Sequence, residues 1–154
     1  MTSNRIYMDH SGTTPLDPQV LDAMMPYLTD KYGNPSSIYK EGRDTRAAVD
    51  GAREKVAEAL NAEAKNIIFT SGGTESDNLA IKGVALNNRE KGGHIITTTI
   101  EHPAVLRTVE SLGEQGFDVS FLPVNEHGLV ELDVLEQEIR SDTLLLSVCY
   151  GNNE

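Results

Sequence analysis

Thr70-Ser-Gly-Gly-Thr-Glu-Ser76 is the stretch on which the fold turns. Just before it, Asn66-Ile-Ile-Phe-Thr70 is a short apolar run that reads as a buried strand. Just after it, a helix is predicted from about Glu75 to Asn87, with Leu79, Ala80, Val84 and Ala85 as its apolar stripe. A strand that ends on two glycines and passes directly into a helix is the opening of a βαβ unit.

The same alternation continues downstream. His94-Ile-Ile-Thr-Thr98 reads as a strand, Pro103 to Leu112 as a helix stopped by Gly113 and Gly116, and Phe117 to Leu122 as a second strand. Residues Asp133 to Arg140 form a short helix and Leu144 to Cys149 a last apolar strand. Upstream, Arg5-Ile-Tyr-Met-Asp9 reads as a strand and Ser11-Gly-Thr-Thr-Pro15 as a turn. Asp17-Pro18 then opens a helix carrying Val20, Leu21, Met24, Met25 and Leu28, which Pro26 should kink or end early. Lys31-Tyr-Gly-Asn-Pro-Ser-Ser37 is a loop, and a long amphipathic segment runs from about Ile38 to Leu60. The expected class is therefore α/β, with a mostly parallel sheet covered by helices. Ligands of such sheets bind beyond the carboxyl ends of the strands, which places residues 71–77, 99–103 and 150–154 at one edge. The last of these loops stops at Glu154 as a strand delivers it to that edge, so the reading expects an incomplete lobe.

Composition narrows the class of function. The 154 residues carry a formal charge of −11, with 38% hydrophobic residues and a single cysteine, Cys149. Residues 1–100 are nearly balanced at net −2, whereas residues 101–154 hold 11 acids against only Arg107 and Arg140. No basic surplus exists to neutralise phosphates, so nucleic acid is not an expected partner. No run approaches the ~18 apolar residues of a membrane span. One cysteine excludes an internal disulfide, and the cytoplasm is the expected compartment.

Three places carry potential chemistry. Free backbone N–H groups and the positive end of the helix dipole make residues 71–76 an anion cradle suited to phosphate, with Thr74 near the N-cap. The stretch is neither a P-loop nor G-x-G-x-x-G, and a glycine turn with Thr/Glu capping explains it equally well on local signal. His102, in Glu101-His102-Pro103, stands at the next strand-to-helix junction, where a histidine serves as a cap or as a proton carrier. Asn152-Asn153-Glu154 follows the final strand at the same edge and otherwise reads as a turn. His10, His94 and His127 have no Cys or His partner at ligand spacing, so no metal is expected. Cys149, inside an apolar strand, reads as an inert small hydrophobe.

Taken in order, Tyr7-Met-Asp-His-Ser-Gly-Thr-Thr-Pro15, Tyr32-Gly-Asn-Pro-Ser-Ser37, Phe69-Thr-Ser-Gly-Gly-Thr-Glu-Ser-Asp-Asn-Leu-Ala-Ile-Lys-Gly83, Glu101-His102 and Asn152-Asn-Glu154 resemble the cysteine desulfurases. These are pyridoxal 5'-phosphate enzymes of the class-V aminotransferase group, and the resemblance spans nearly the whole chain. Gly12 and Gly73 depart from it, standing where alanine is commoner. The resemblance implies the large domain of a fold-type I transferase. Residues 1–154 would supply the N-terminal segment and first part of that domain, with its remainder and the small C-terminal domain absent. It implies that Gly73 and Thr74 hold the cofactor phosphate, that His102 stacks on the pyridine ring and relays protons, and that Asn153 hydrogen-bonds the cofactor's phenolic oxygen or the substrate. It implies transfer of sulfur from L-cysteine to an enzyme cysteine persulfide, giving L-alanine, in a homodimer that serves a sulfur acceptor or iron–sulfur scaffold protein. The family's cofactor-binding lysine and mobile catalytic cysteine lie further along than any residue here; the six lysines and Cys149 all come too early. Two other readings stay open: a different class-V enzyme, such as a selenocysteine lyase, or a non-catalytic chain that acts only by binding a partner.

Overall fold

The computed structural model describes residues 6–152, which divide into two compact units, one up to Phe69 and one from Thr70 onward. In the first unit, α1 (Pro18–Thr29) starts where the sequence places it, with the Asp17 carboxylate accepting from the Gln19 N–H at 2.7 Å. Pro26 does not stop this helix, which runs on to Thr29; the Pro26 carbonyl accepts from Asp30 and Lys31 just beyond its end. No residue of α1 is buried. Helix α2 (Lys40–Ala59) buries Gly42, Thr45 and Ala57. Gly42 is there because the 34–37 turn presses on it: a Cβ would fall 2.7 Å from the Asn34 carbonyl oxygen and closer still to that of Ser37.

Two expected strands are not formed in this unit. Ala64–Asn66 make a 3₁₀ turn, and residues 67–70 are extended but unpaired, with Ile68 66% and Phe69 47% exposed rather than buried. Residues 6–9 are likewise unpaired, and Arg5 lies outside the described residues. An extended run becomes a strand only when a neighbour takes its N–H and C=O groups, and neither run has one among the described residues. Arg53 stands in for part of that neighbour. Its Nε donates to the Ile67 carbonyl at 3.2 Å, while its guanidinium lies 5.1 Å from the centre of the Phe69 ring.

The second unit is the expected α/β element series: α3 (Gly73–Asn87), β1 (His94–Thr98), α4 (Pro103–Glu114), β2 (Asp118–Leu122), α5 (Leu132–Glu138) and β3 (Thr143–Leu146). The sheet is parallel throughout in the order β2-β1-β3, with Ile95 paired to both Val119 and Leu145. β1 is central and wholly buried. Against it pack Ile81 and Ala85 of α3, Val105, Val109 and Leu112 of α4, and Phe117. Each buried large aliphatic side chain contributes about 1.5–3 kcal/mol before chain entropy is counted. The face of α3 differs from the expected stripe: Ile81 and Ala85 point inward, while Leu79 and Val84 are exposed. Gly113 lies inside α4, and only Gly116, at φ +91°, supplies the left-handed turn that ends it. β3 stops at Leu146, although the Ser147 N–H still donates to the Ile96 carbonyl at 2.9 Å.

His94 is a core histidine, fully buried at the start of β1. Its Nδ1 meets the Thr143 hydroxyl at 2.8 Å and its Nε2 the Ser120 hydroxyl at 3.0 Å; Ser120 in turn donates to Glu138 at 2.6 Å. One side chain thus joins all three strands. On the same end of the sheet, Arg140 holds Asp118 at 2.7 Å and Asp142 at 3.2 Å. The hydrogen bond and charge of Arg140 keep the Asp118 carboxyl below the usual carboxylate range. A lowered folded pKa stabilises above the unfolded value of about 3.9, and that contribution disappears as pH falls through the lower folded one. Urea midpoints recorded from pH 7 down to pH 2 should therefore show Asp118→Asn losing less stability in acid than the parent chain. Parallel acid limbs for the two would show that the pair contributes nothing, as many exposed pairs do.

Candidate functional site

The glycine turn prepares α3 from its first residue. Gly72 occupies the cap position, Gly73 is the first helical residue and Thr74 the second, so Thr74 sits one turn-step inside the expected cap. Capping is done by the flanking residues instead. The Glu75 carboxylate reaches back to accept from the Ser71 hydroxyl and the Ser71 N–H, both at 2.6 Å, and these two donors, the hydroxyl first, hold its pKa below the usual carboxylate range. Thr70 bridges Ser76 at 2.7 Å across the same turn. The capping reading of the sequence is thus observed directly, beside helix-start donors left open. Ser71 and Glu75 make the capping arrangement, while the N–H groups of Gly73, Thr74 and Glu75, at the helix start, have no intrahelical acceptor.

Gly72 and Gly73 leave this helix end open, since a Cβ on either would meet nothing within 4 Å. The Thr74 hydroxyl is exposed and engaged by no other described residue. Asn78, one turn on, ties its Nδ2 to the Thr74 carbonyl at 2.9 Å. Exposed N–H groups, a helix dipole and an adjacent hydroxyl, all reachable from solvent, fit a phosphate group.

His102 caps α4: its Nδ1 accepts the Ala104 N–H at 3.0 Å. That bond settles the tautomer of the neutral ring, with the proton on Nε2, and leaves Nε2 and the ring face to an exposed surface. α3 and α4 pack against each other, and residues at the start of each line one groove. A groove of ≈ 440 Å³ lies between them, lined by Thr74, Asn78, Lys82, His102, Arg107 and Thr108 among others. The structure therefore brings Thr74 and His102 together. Asn153 lies outside the described residues.

Three contributors escape a reading of the sequence. Lys82 and Arg107 put two cations on the groove of a chain with a net charge of −11. Arg107 is half of a helical pair with Glu110 at 2.8 Å, and spacing alone marks it as a solvated surface residue. The third is Glu101, buried beside His102, which links two loops of this edge.

This parallel α/β unit, with paired helix starts around an anion-ready turn, has counterparts among known proteins. The model of the aminotransferase class-V family matches residues 6–154, and the chain belongs to that family. It is 54% identical to the cysteine desulfurase IscS of Methanosarcina thermophila over 99% of its own length and 38% of the relative's. A solved NifS-like protein superposes with a TM-score of 0.93 at 42% identity, covering 97% of this chain and 41% of that one. The structure of SspA in complex with cysteine matches with a TM-score of 0.88 at 40% identity, over 96% of this chain and 43% of that one. The chain thus spans about two-fifths of the length of these relatives. Among the described residues, no helix is long and apolar enough to cross a membrane.

Proposed function

We propose that residues 1–154 carry the phosphate-and-ring side of the pyridoxal 5'-phosphate site of a cysteine desulfurase, as the first part of its large domain. The observation that carries this reading is the single groove shared by Thr74 at the start of α3 and His102 at the start of α4. Gly73 and Thr74 would hold the phosphate through backbone N–H groups and the Thr74 hydroxyl, with the dipole of α3 behind them. Lys82 and Arg107 make the local field more favourable to an anion than the net charge implies. His102, its orientation fixed by the Ala104 bond, would offer its ring face to the pyridine ring and a proton at Nε2 to the reacting end. Asn153 would complete the ring's polar contacts.

The bound cofactor supplies an electron sink for the substrate's carbon skeleton. The complete protein would act on L-cysteine, leaving L-alanine and transferring the sulfur to a cysteine thiol of the enzyme, which becomes a persulfide for iron–sulfur cluster assembly. As a whole it would be a cytoplasmic homodimer working with a sulfur acceptor or scaffold protein. The test is a cofactor titration. In the complete protein, Thr74→Val should weaken pyridoxal phosphate binding by about 1–2 kcal/mol, the worth of one hydrogen bond to a charged group. An unchanged affinity would remove the hydroxyl from the site.

A further inference from the structure

Glu101 is a buried carboxylate, 7% exposed, in the loop between β1 and α4. Its Oε1 accepts from the Thr98 hydroxyl at 3.3 Å and from the backbone N–H of Cys149, a residue 48 positions away. Three residues further on, the Asn152 side-chain amide donates to the Ile100 carbonyl at 2.7 Å. The segment after β3 is therefore fastened twice to the loop after β1, although the β1–β3 ladder itself stops at Leu146. A carboxylate is expensive to bury, and one that accepts from a backbone amide and a hydroxyl recovers part of that cost only in one arrangement of those donors. That makes it a precise spacer. Both ends lie next to the proposed site along the chain: His102 follows Glu101 directly, and Cys149 leads into the Asn152 side chain that reaches Ile100.

We propose that Glu101 is the positioning residue of this site. Its carboxylate sets the distance between the His102 loop and the asparagine segment, acting through Cys149 N–H without touching the cofactor. The inference rests on the pyridoxal phosphate reading of the groove, and its test separates the two. The ¹⁵N-labelled complete protein is compared with its Glu101→Ala and Glu101→Gln variants by amide exchange, by the imidazole nitrogen resonances of His102 and by titration with pyridoxal phosphate.

In Glu101→Ala, exchange at Cys149 should accelerate about tenfold or more, the loss expected when a charged acceptor is removed from a partly buried N–H. The amide of Thr97 in the middle of β1 should keep its rate. The His102 resonances should move and cofactor affinity should fall about fivefold or more. Glu101→Gln keeps an acceptor oxygen at the same reach and should restore most of each effect. Should Glu101→Ala unfold, Cys149→Pro removes the donor from the other side and should move the same His102 resonances. Unchanged exchange at Cys149 overturns the proposal, and so does faster exchange with His102 unmoved, since the carboxylate would then only hold the chain together. If the complete parent protein takes up no pyridoxal phosphate, the cofactor reading fails, while exchange and imidazole spectra still decide the role of Glu101.

Discussion

A polypeptide of these 154 residues, incubated with pyridoxal phosphate, L-cysteine and a reductant, is expected to release no more sulfide than the free cofactor. The proposed site has a helix start for the phosphate and an imidazole for the ring, but the proposed chemistry would also need a lysine amine to tether the cofactor and move a proton. The six lysines all precede residue 92, and only Lys82 lines the groove. A second reason is physical association. Val20, Met24 and Leu28 of α1 and Leu79 and Leu86 of α3 stand in water, each at least 43% exposed. Such faces favour self-association over a stable, open site. Gel filtration of the polypeptide should show species larger than 16.8 kDa. Sulfide well above the free-cofactor rate would give the amine's role to a lysine within these residues, and Lys82→Ala would then have to abolish it.

The legible parts of the sequence were those whose signal is local. His94–Thr98 pairs as read because four consecutive β-branched residues, Ile95 to Thr98, preceded by Gly92 and Gly93, favour a strand. Asp17-Pro18 starts α1 as read because cap chemistry needs only adjacent residues. Residues 66–70 failed for the opposite reason: their composition suits a strand, but pairing depends on a partner that composition does not contain. At the site, glycine spacing marked the start of α3, and Thr74 and His102 were named from motifs. The placement of Lys82 and Arg107 on one groove depends on how two helices lie against each other, and that of Glu101 on a contact across 48 residues. No window of sequence holds those distances.

The face that α3 turns inward gives the sharpest energetic test of the difference. Helical periodicity allows neighbouring stripes, and the expected one, Leu79, Ala80, Val84 and Ala85, meets the buried face only at Ala85. What decides is the sheet: Ile81 and Ala85 fit against Ile95 and α4, whereas Leu79 is 48% exposed. Ile81→Ala should therefore cost about 2–4 kcal/mol, the transfer of the lost methylenes plus the cavity left in a packed cluster. Leu79→Ala, the larger loss by sequence pattern, should stay within about 0.5 kcal/mol, because it removes atoms that are already half in water and Ala is the better helix former. Urea unfolding at low protein concentration, with equal m-values for both variants, measures the two directly. Equal losses would mean that Leu79 is buried in solution, either by a rotation of α3 about its axis or by association through that face. A concentration series separates these, since only association makes the Leu79 effect grow with protein concentration.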